Sequence, residues 1–286
     1  MMRLFQILMA LFSRILPGRA SDLALQLMTG PRLPQAWRGR AGFAPDRQVP
    51  VGERARLNIW SGGPQRVLLV HGWSGHWTQF ETMMKALGRD DFSFYALQMP
   101  GHGSEADGAS HVGEFIATLR RALDVIGEPV EVLIGHSMGA AAAAYVLSER
   151  EDISRAVLIA PPTDFRGVVG RMASMLKLGK RARQQLQDKM AARVGISYDA
   201  LDIARRGERI DARLLLVHDT DDREVPFTDS LRLYRSVPAA TLHQTVGKGH
   251  RRVLADKEVL EWVAGFAREG VLSVPTPDAG QIRVPA

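Results

Sequence analysis

The sequence predicts an α/β fold: an eight-stranded, mostly parallel sheet flanked by helices, with one helical insertion. Two observations carry this expectation. Short apolar runs recur along the chain, and the later ones alternate with segments of helical periodicity, the pattern of right-handed crossovers over a parallel sheet. Runs such as Val67-Leu68-Leu69-Val70 and Leu214-Leu215-Leu216-Val217 are apolar at every position, which a strand needs only when both its faces are covered. With 286 residues, 45% hydrophobic and 24% charged, the chain suits one large domain with an insertion and leaves no room for a largely unfolded polypeptide.

The first sixteen residues place Leu4, Phe5, Ile7, Leu8, Leu11, Phe12, Ile15 and Leu16 on one wide helical face, at i, i+3/i+4 and i+7 spacing. The run is too short for a bilayer, which takes about twenty apolar residues, and Arg14 interrupts it, so it does not span a membrane. Three readings stay open for it. The helix packs on the protein, lies on a membrane surface through residues 3–16, or forms the core of a secretory signal with small residues at Gly18-Arg19-Ala20 for cleavage. The location follows that choice: cytoplasmic in the first case, membrane-peripheral or exported in the others. Residues 31–50, rich in Pro, Gly and Arg without periodicity, form a linker into the core.

Strands follow at 47–51 and 56–60, a hairpin pair, and then at 66–70, 92–97, 131–134, 156–159, 214–217 and 241–246, from their β-branched and apolar content. Helical patterns lie at 78–87, 112–126, 140–147, 228–234 and 253–266, by the same periodicity test. Between strands six and seven, residues 163–208 are far longer than a crossover needs. Val168, Met172, Met175 and Leu176 keep one helical face there, and Leu186, Met190 and Val194 another, so the segment is a small helical insertion. The chain thus divides into an N-terminal helix and linker (1–46), a core (47–162 and 209–270), the inserted helices (163–208) and a loose tail (271–286).

Composition excludes several classes of function. No cysteine is present, which removes disulfides, thiol nucleophiles and thiolate metal sites. The net charge of +6 from 37 Lys+Arg against 31 Asp+Glu is a basic but solvated surface and calls for no nucleic-acid partner.

The chemistry is concentrated in Gly135-His136-Ser137-Met138-Gly139, set between the strand at 131–134 and the Ala-rich helix from Ala140. Strand, sharp turn and helix make G-x-S-x-G a nucleophile elbow, which exposes the serine and aims the next N–H at a developing oxyanion. Ser137 is therefore the candidate nucleophile and Met138 N–H one oxyanion donor. A serine needs a base, and the base needs an orienting acid. His250, in Gly247-Lys248-Gly249-His250, lies between the last strand and the last helix and keeps the Ser, acid, His chain order that goes with the elbow. His76, His102, His111, His136 and His243 are read as structural. The acid lies in His218-Asp219-Thr220-Asp221-Asp222-Arg223-Glu224-Val225-Pro226. Asp222 is placed first and Asp221 second, with Asp219 and Glu224 as solvated or capping groups. The second oxyanion donor falls in His71-Gly72-Trp73-Ser74-Gly75 after the first central strand, with Trp73 N–H the choice.

Together His71-Gly72, Pro100-Gly101-His102-Gly103-Ser104, the serine motif, the Asp222 loop and Gly249-His250 resemble the α/β-hydrolase superfamily, in the style of its monoacylglycerol lipase, carboxylesterase and serine aminopeptidase-like members. The resemblance spans about 67–266 and implies the eight-stranded α/β-hydrolase fold with a cap after strand six, at 163–208. Two positions depart from the family pattern: Gln98 stands where Asp is usual, and Asp219 where Gly is usual. The serine nucleophile argues for acyl transfer, and the resemblance implies hydrolysis of a small-molecule ester without a cofactor or metal. An aminopeptidase or amidase, a lipid hydrolase and a non-catalytic binder are the alternatives. The cap carries Met172, Met175, Leu176 and Met190, which suit either an apolar pocket or the insertion's own core, and Lys177, Lys180, Arg181, Arg183, Lys189 and Arg193, which suit a solvated outer face or, as the alternative, an anionic substrate or lipid surface.

Overall fold

A computed structural model describes residues 2–31, 43–103 and 108–269. Most of the predicted linker, Ser104 of the Pro-Gly-His-Gly motif and the C-terminal tail lie outside the described residues.

Eight strands form one sheet: β1 (Arg47–Val51), β2 (Ala55–Trp60), β3 (Gln65–Val70), β4 (Phe92–Gln98), β5 (Val132–His136), β6 (Arg155–Ile159), β7 (Arg213–Asp219) and β8 (Ala240–Thr245). Their order is β1-β2-β4-β3-β5-β6-β7-β8. β1 and β2 join antiparallel, and every pair from β4 and β3 onward is parallel. The all-apolar strands are explained by period-2 alternation between two cores. Leu68, Val70, Leu214 and Leu216 face one core with α4 (Val112–Ile126), α5 (Met138–Leu147) and α8 (Phe227–Ser236). Val67, Leu69, Leu215 and Val217 face the other, with α3 (Glu81–Leu87) and α10 (Lys257–Glu269).

Two predicted helices break into pieces. The first begins as a 3-10 turn at Trp77–Phe80 before α3, where His76 Nδ1 accepts from Thr78 N–H. The last, predicted at 253–266, splits into a 3-10 turn Val253–Ala255 and α10, and a one-turn α9 (Gly249–Arg252) precedes it. Asp256 causes the second break: its backbone is extended, and its Oδ1 accepts the Val259 N–H, satisfying one orphan donor of the new helix.

The insertion folds as α6 (Phe165–Met175), α7 (Lys180–Val194) and a 3-10 segment Ile203–Arg209. It is joined by a helix that the periodicity missed. Residues 2–29 form two helices, α1 (Met2–Ile15) and α2 (Pro17–Thr29), rather than one helix and a linker. α2 packs on α7 through the small residues Ala20 and Ala24, both fully buried. Gly18-Arg19-Ala20, the cleavage site in one of the three readings above, lies inside α2, where Ala20 lets the two helices approach closely. Met9, Ala20, Ala24, Val169, Leu186 and Met190 share one small core. Among the described residues no helix is long and apolar enough to cross a membrane.

Candidate active site

The strand order reverses at β3 and β5. β3 connects outward to β4 on one side, and β5 to β6 on the other. A crevice therefore opens at the C-terminal ends of these two strands. The loop after β3 carries Trp73, and the turn after β5 carries Ser137.

Ser137 adopts φ 53°, ψ −124°, a strained conformation for a residue with a Cβ. The turn is pinned at both ends by Ser137 N–H to Ile159 O at 2.8 Å and Ala141 N–H to Ser137 O at 3.0 Å. The motif's glycines follow from crowding. A Cβ on Gly135 would lie 2.5 Å from Ala140 Cα, and one on Gly139 would overlap Val70 O and His71 O. Gly72, across the crevice, leaves its Cβ space to Ser137, whose own Cβ would be 2.8 Å away.

His250 sits on α9 rather than in a loop. Its Nδ1 lies 2.6 Å from Asp222 Oδ2. The Asp222 side chain is 1% exposed, whereas Asp221 is an exposed residue. Asp222 Oδ1 accepts the N–H groups of Glu224 and Val225 at 2.8 and 2.9 Å, and Oδ2 also meets His218 Nε2 at 3.3 Å. Burial by itself opposes the charge on Asp222. Hydrogen bonds from His218 and His250 outweigh it and hold the carboxyl well below the usual carboxylate range, as expected of a carboxylate that accepts several donors. His218 is buried between Ser230 Oγ on Nδ1 and Val225 O and Asp222 on Nε2. Nε2–H is thus the donor, and Nδ1 accepts from the Ser230 hydroxyl. Ser137 Oγ makes no hydrogen bond among the described residues, a looseness common in unliganded sites.

Asp219 corrects an expectation. It is buried at 1% exposure rather than solvated, because its carboxylate accepts Asp221 N–H, Thr245 Oγ1–H and Lys248 N–H at 3.0, 2.7 and 2.9 Å. It ties the loop after β7 to the loop after β8 and so fixes Asp222 relative to His250. Glu224 is exposed, in an ion pair with Arg251.

Three further histidines, His71, His102 and His136, brace the crevice. His71 Nδ1 donates to Gly72 O at 2.8 Å, and its Nε2 accepts Met99 N–H. His102 Nδ1 donates to Pro100 O, and its Nε2 accepts Ser74 N–H. Gln98, in the position where Asp is usual, donates to His102 O at 2.6 Å. His136 Nε2 donates to the backbone carbonyl of His250 at 2.9 Å, while Gln79 reaches its Nδ1. Burial lowers His102 to about 4 and His136 to about 3, so both are neutral struts. Among the described residues no group of three His, Cys, Asp or Glu could hold a metal ion.

Trp73 and Met138 both line one small cavity of about 40 Å³, closed by Phe165 and Val169 of α6, Met190 of α7 and Met28 of α2. The carboxylates lie elsewhere, and none lines this cavity among the described residues. Met175 departs from expectation, being 49% exposed rather than turned toward a pocket.

A sheet of this order, with a serine elbow at its switch point and a histidine and acid on the following loops, defines the architecture of an α/β hydrolase. The chain belongs to the alpha/beta hydrolase family, whose model matches residues 67–280. Among curated proteins, a candidate esterase/lipase of Mycoplasma pneumoniae is 28% identical over 130 residues, 42% of this chain and 47% of that protein. A second, from Mycoplasma genitalium, is 35% identical over 104 residues, 34% of this chain and 36% of that one. The chain therefore spans half or less of these relatives. Among solved structures, Est1E of Butyrivibrio proteoclasticus with ferulic acid bound superposes with a TM-score of 0.60 at 15% identity, over 78% of this chain and 97% of that one. A lipase-like protein of Acinetobacter baumannii gives 0.58 at 16% identity, over 84% and 92%. At those identities the likeness is one of fold.

Proposed function

We propose that this hydrolase cleaves carboxylic esters of short acyl groups through an acyl-enzyme on Ser137. The observation that carries the reading is the buried 2.6 Å contact of His250 Nδ1 with Asp222 Oδ2, together with a strained serine elbow whose Met138 lines an apolar cavity. In this reading Ser137 Oγ attacks the ester carbonyl while His250 Nε2 takes its proton. Asp222, kept ionised by its donors, fixes the imidazole tautomer and stabilises the imidazolium. Met138 N–H is free for an oxyanion because the first N–H groups of a helix have no partner within it. Trp73 N–H is the second donor. His250 then returns the proton to the leaving alcohol, the alcohol departs, and water activated by the same histidine hydrolyses the acyl-enzyme.

The acyl length follows from space. The cavity lined by Met138 is narrow, about 40 Å³, so in this reading a short acyl chain enters it and a long one has to displace Met28 or Met190. An aminopeptidase would need a carboxylate facing the substrate ammonium, which this cavity lining lacks among the described residues. The test combines labelling with a substrate series. A fluorophosphonate probe is expected to modify the folded protein at Ser137 and to leave Ser137→Ala unlabelled. p-Nitrophenyl acetate and butyrate should turn over faster than the decanoate, and aminoacyl p-nitroanilides should be inert. Equal labelling of Ser137→Ala ends the serine-hydrolase reading; a preference for long chains ends the short-acyl one.

A further inference from the structure

The apolar face of α1 is turned away from the protein. Leu4, Ile7, Leu8, Leu11 and Ile15 are 62%, 58%, 56%, 51% and 75% exposed, although residues of this type gain most from burial. The helix is instead attached by a narrow edge. Met9 and Ser13 are buried, Ser13 Oγ accepts Gly179 N–H at 2.9 Å, and Gln6 donates to Met175 O at 2.8 Å. The exposed stripe is therefore displayed by a helix held firmly in place, rather than by a frayed terminus.

Beside it, sharing Ile7, runs a row that begins and ends in a cation. Arg3, Ile7, Ala10 and Arg14 follow one another at i+4, i+3 and i+4, and they form one wall of a groove whose other wall is Lys177 and Arg183 of the cap. Four cations thus face one groove, no acidic residue lines it, and among the described residues none of the four forms an ion pair. The first turn of α1 has no acidic residue either. An apolar stripe flanked by unpaired cations is the arrangement of a helix lying in a membrane interface, its apolar side chains among acyl chains and its cations at anionic headgroups.

We infer that α1, with the Arg3/Arg14/Lys177/Arg183 groove, docks the protein on an anionic phospholipid surface. The charge decides between occupants: a second copy of the chain would bring the same four cations against themselves, whereas anionic headgroups neutralise them. The inference is independent of the esterase reading, because none of these residues lines the cavity beside Ser137.

Sedimentation of the full chain with vesicles tests it. Vesicles containing about one third phosphatidylglycerol should bind at least about tenfold more tightly than pure phosphatidylcholine, with binding weakened by 0.5 M salt through screening. Leu8→Glu/Leu11→Glu should abolish sedimentation, and Arg3→Glu/Arg14→Glu should remove the preference for anionic vesicles. Both exposed variants should keep p-nitrophenyl butyrate turnover, which distinguishes failure of docking from failure of the site. The proposal is overturned by absence of vesicle binding. It is equally overturned by binding that ignores both variants, or by a dimer in analytical ultracentrifugation that Leu8→Glu/Leu11→Glu dissociates.

Discussion

Asp222 owes its place to four donors: the N–H groups of Glu224 and Val225 on one oxygen, and His250 and His218 on the other. Replacing it by Asn leaves the shape but offers His250 Nδ1 a donor or an uncharged acceptor, so the imidazole is no longer held in the productive tautomer. Asp222→Asn is expected to lower kcat on p-nitrophenyl butyrate by about 10⁴, and Asp221→Asn to leave it unchanged. His218→Ala removes the second partner of Oδ2 and also leaves Ser230 Oγ and Val225 O without their His218 contacts, and a fall of roughly 10- to 100-fold is expected, the worth of one buried hydrogen bond to Asp222. Steady-state kinetics on the three purified variants check this, and an inactive Asp221→Asn beside an active Asp222→Asn would reverse the assignment. At this scale the serine elbow was legible, because strand, turn and helix are contiguous and the glycines answer to crowding within a few residues. The supports of Asp222 were not. Asp219 looks solvated in a run of four acidic residues, and only its reach across to Thr245 and Lys248 shows that it is a buried tie. That pairing joins two strands adjacent in space but 26 to 29 positions apart in sequence.

At the scale of elements, α2 and the cap act as one unit over the cavity. Pro17 and Gly18 look like a helix break after α1, yet Pro17 stands at the start of α2, a position that tolerates its missing N–H. The buried face of α2 is Ala20, Ser21 and Ala24, too small to register as an apolar stripe but suited to close approach. Long strands and amphipathic helices such as α4 carry strong periodicity and were legible. A helix that packs through alanines does not carry it. The end of α2 brings Met28 into the cavity beside Phe165 and Met190, so in the proposed reading an N-terminal helix that the periodicity missed helps set the acyl length. Met28→Ala is expected to enlarge the cavity and move the optimum of a p-nitrophenyl ester series to longer chains, with little change on the acetate. Because Met28 is only partly buried, the stability cost should fall at or below the low end of the 2–5 kcal/mol typical of core Met truncations. An unchanged chain-length profile in a folded variant would remove α2 from the acyl pocket.

For the whole molecule, the density of buried histidines around the crevice makes stability fall with pH below the ordinary histidine value. His71, His102 and His136 are all buried, and burial, the largest cause in each, lowers all three, His102 to about 4 and His136 to about 3. Each is neutral in the folded chain and titrates near 6.5 once unfolded, so below that value the unfolded chain binds more protons than the folded one. The stability these struts provide is therefore fully present above about pH 6.5 and is lost as pH falls toward 4. The loss is about 1.4 kcal/mol per pH unit for each histidine within the window. Asp222 and Asp219, both lowered, add their own loss only as pH falls below the unfolded carboxylate value, whereas Asp229, raised by burial, acts with the opposite sign just above that value, where the folded chain binds its proton first. Urea unfolding between pH 7.5 and 4.5 should show the midpoint falling steadily below pH 6.5 with an unchanged m value. His102→Gln, which removes one titrating strut, should be less stable at pH 7.5 and show a shallower fall toward pH 4.5. A wild-type midpoint that stays flat over that range, or an equal slope in His102→Gln, would mean that the buried histidines do not set the acid sensitivity of the fold.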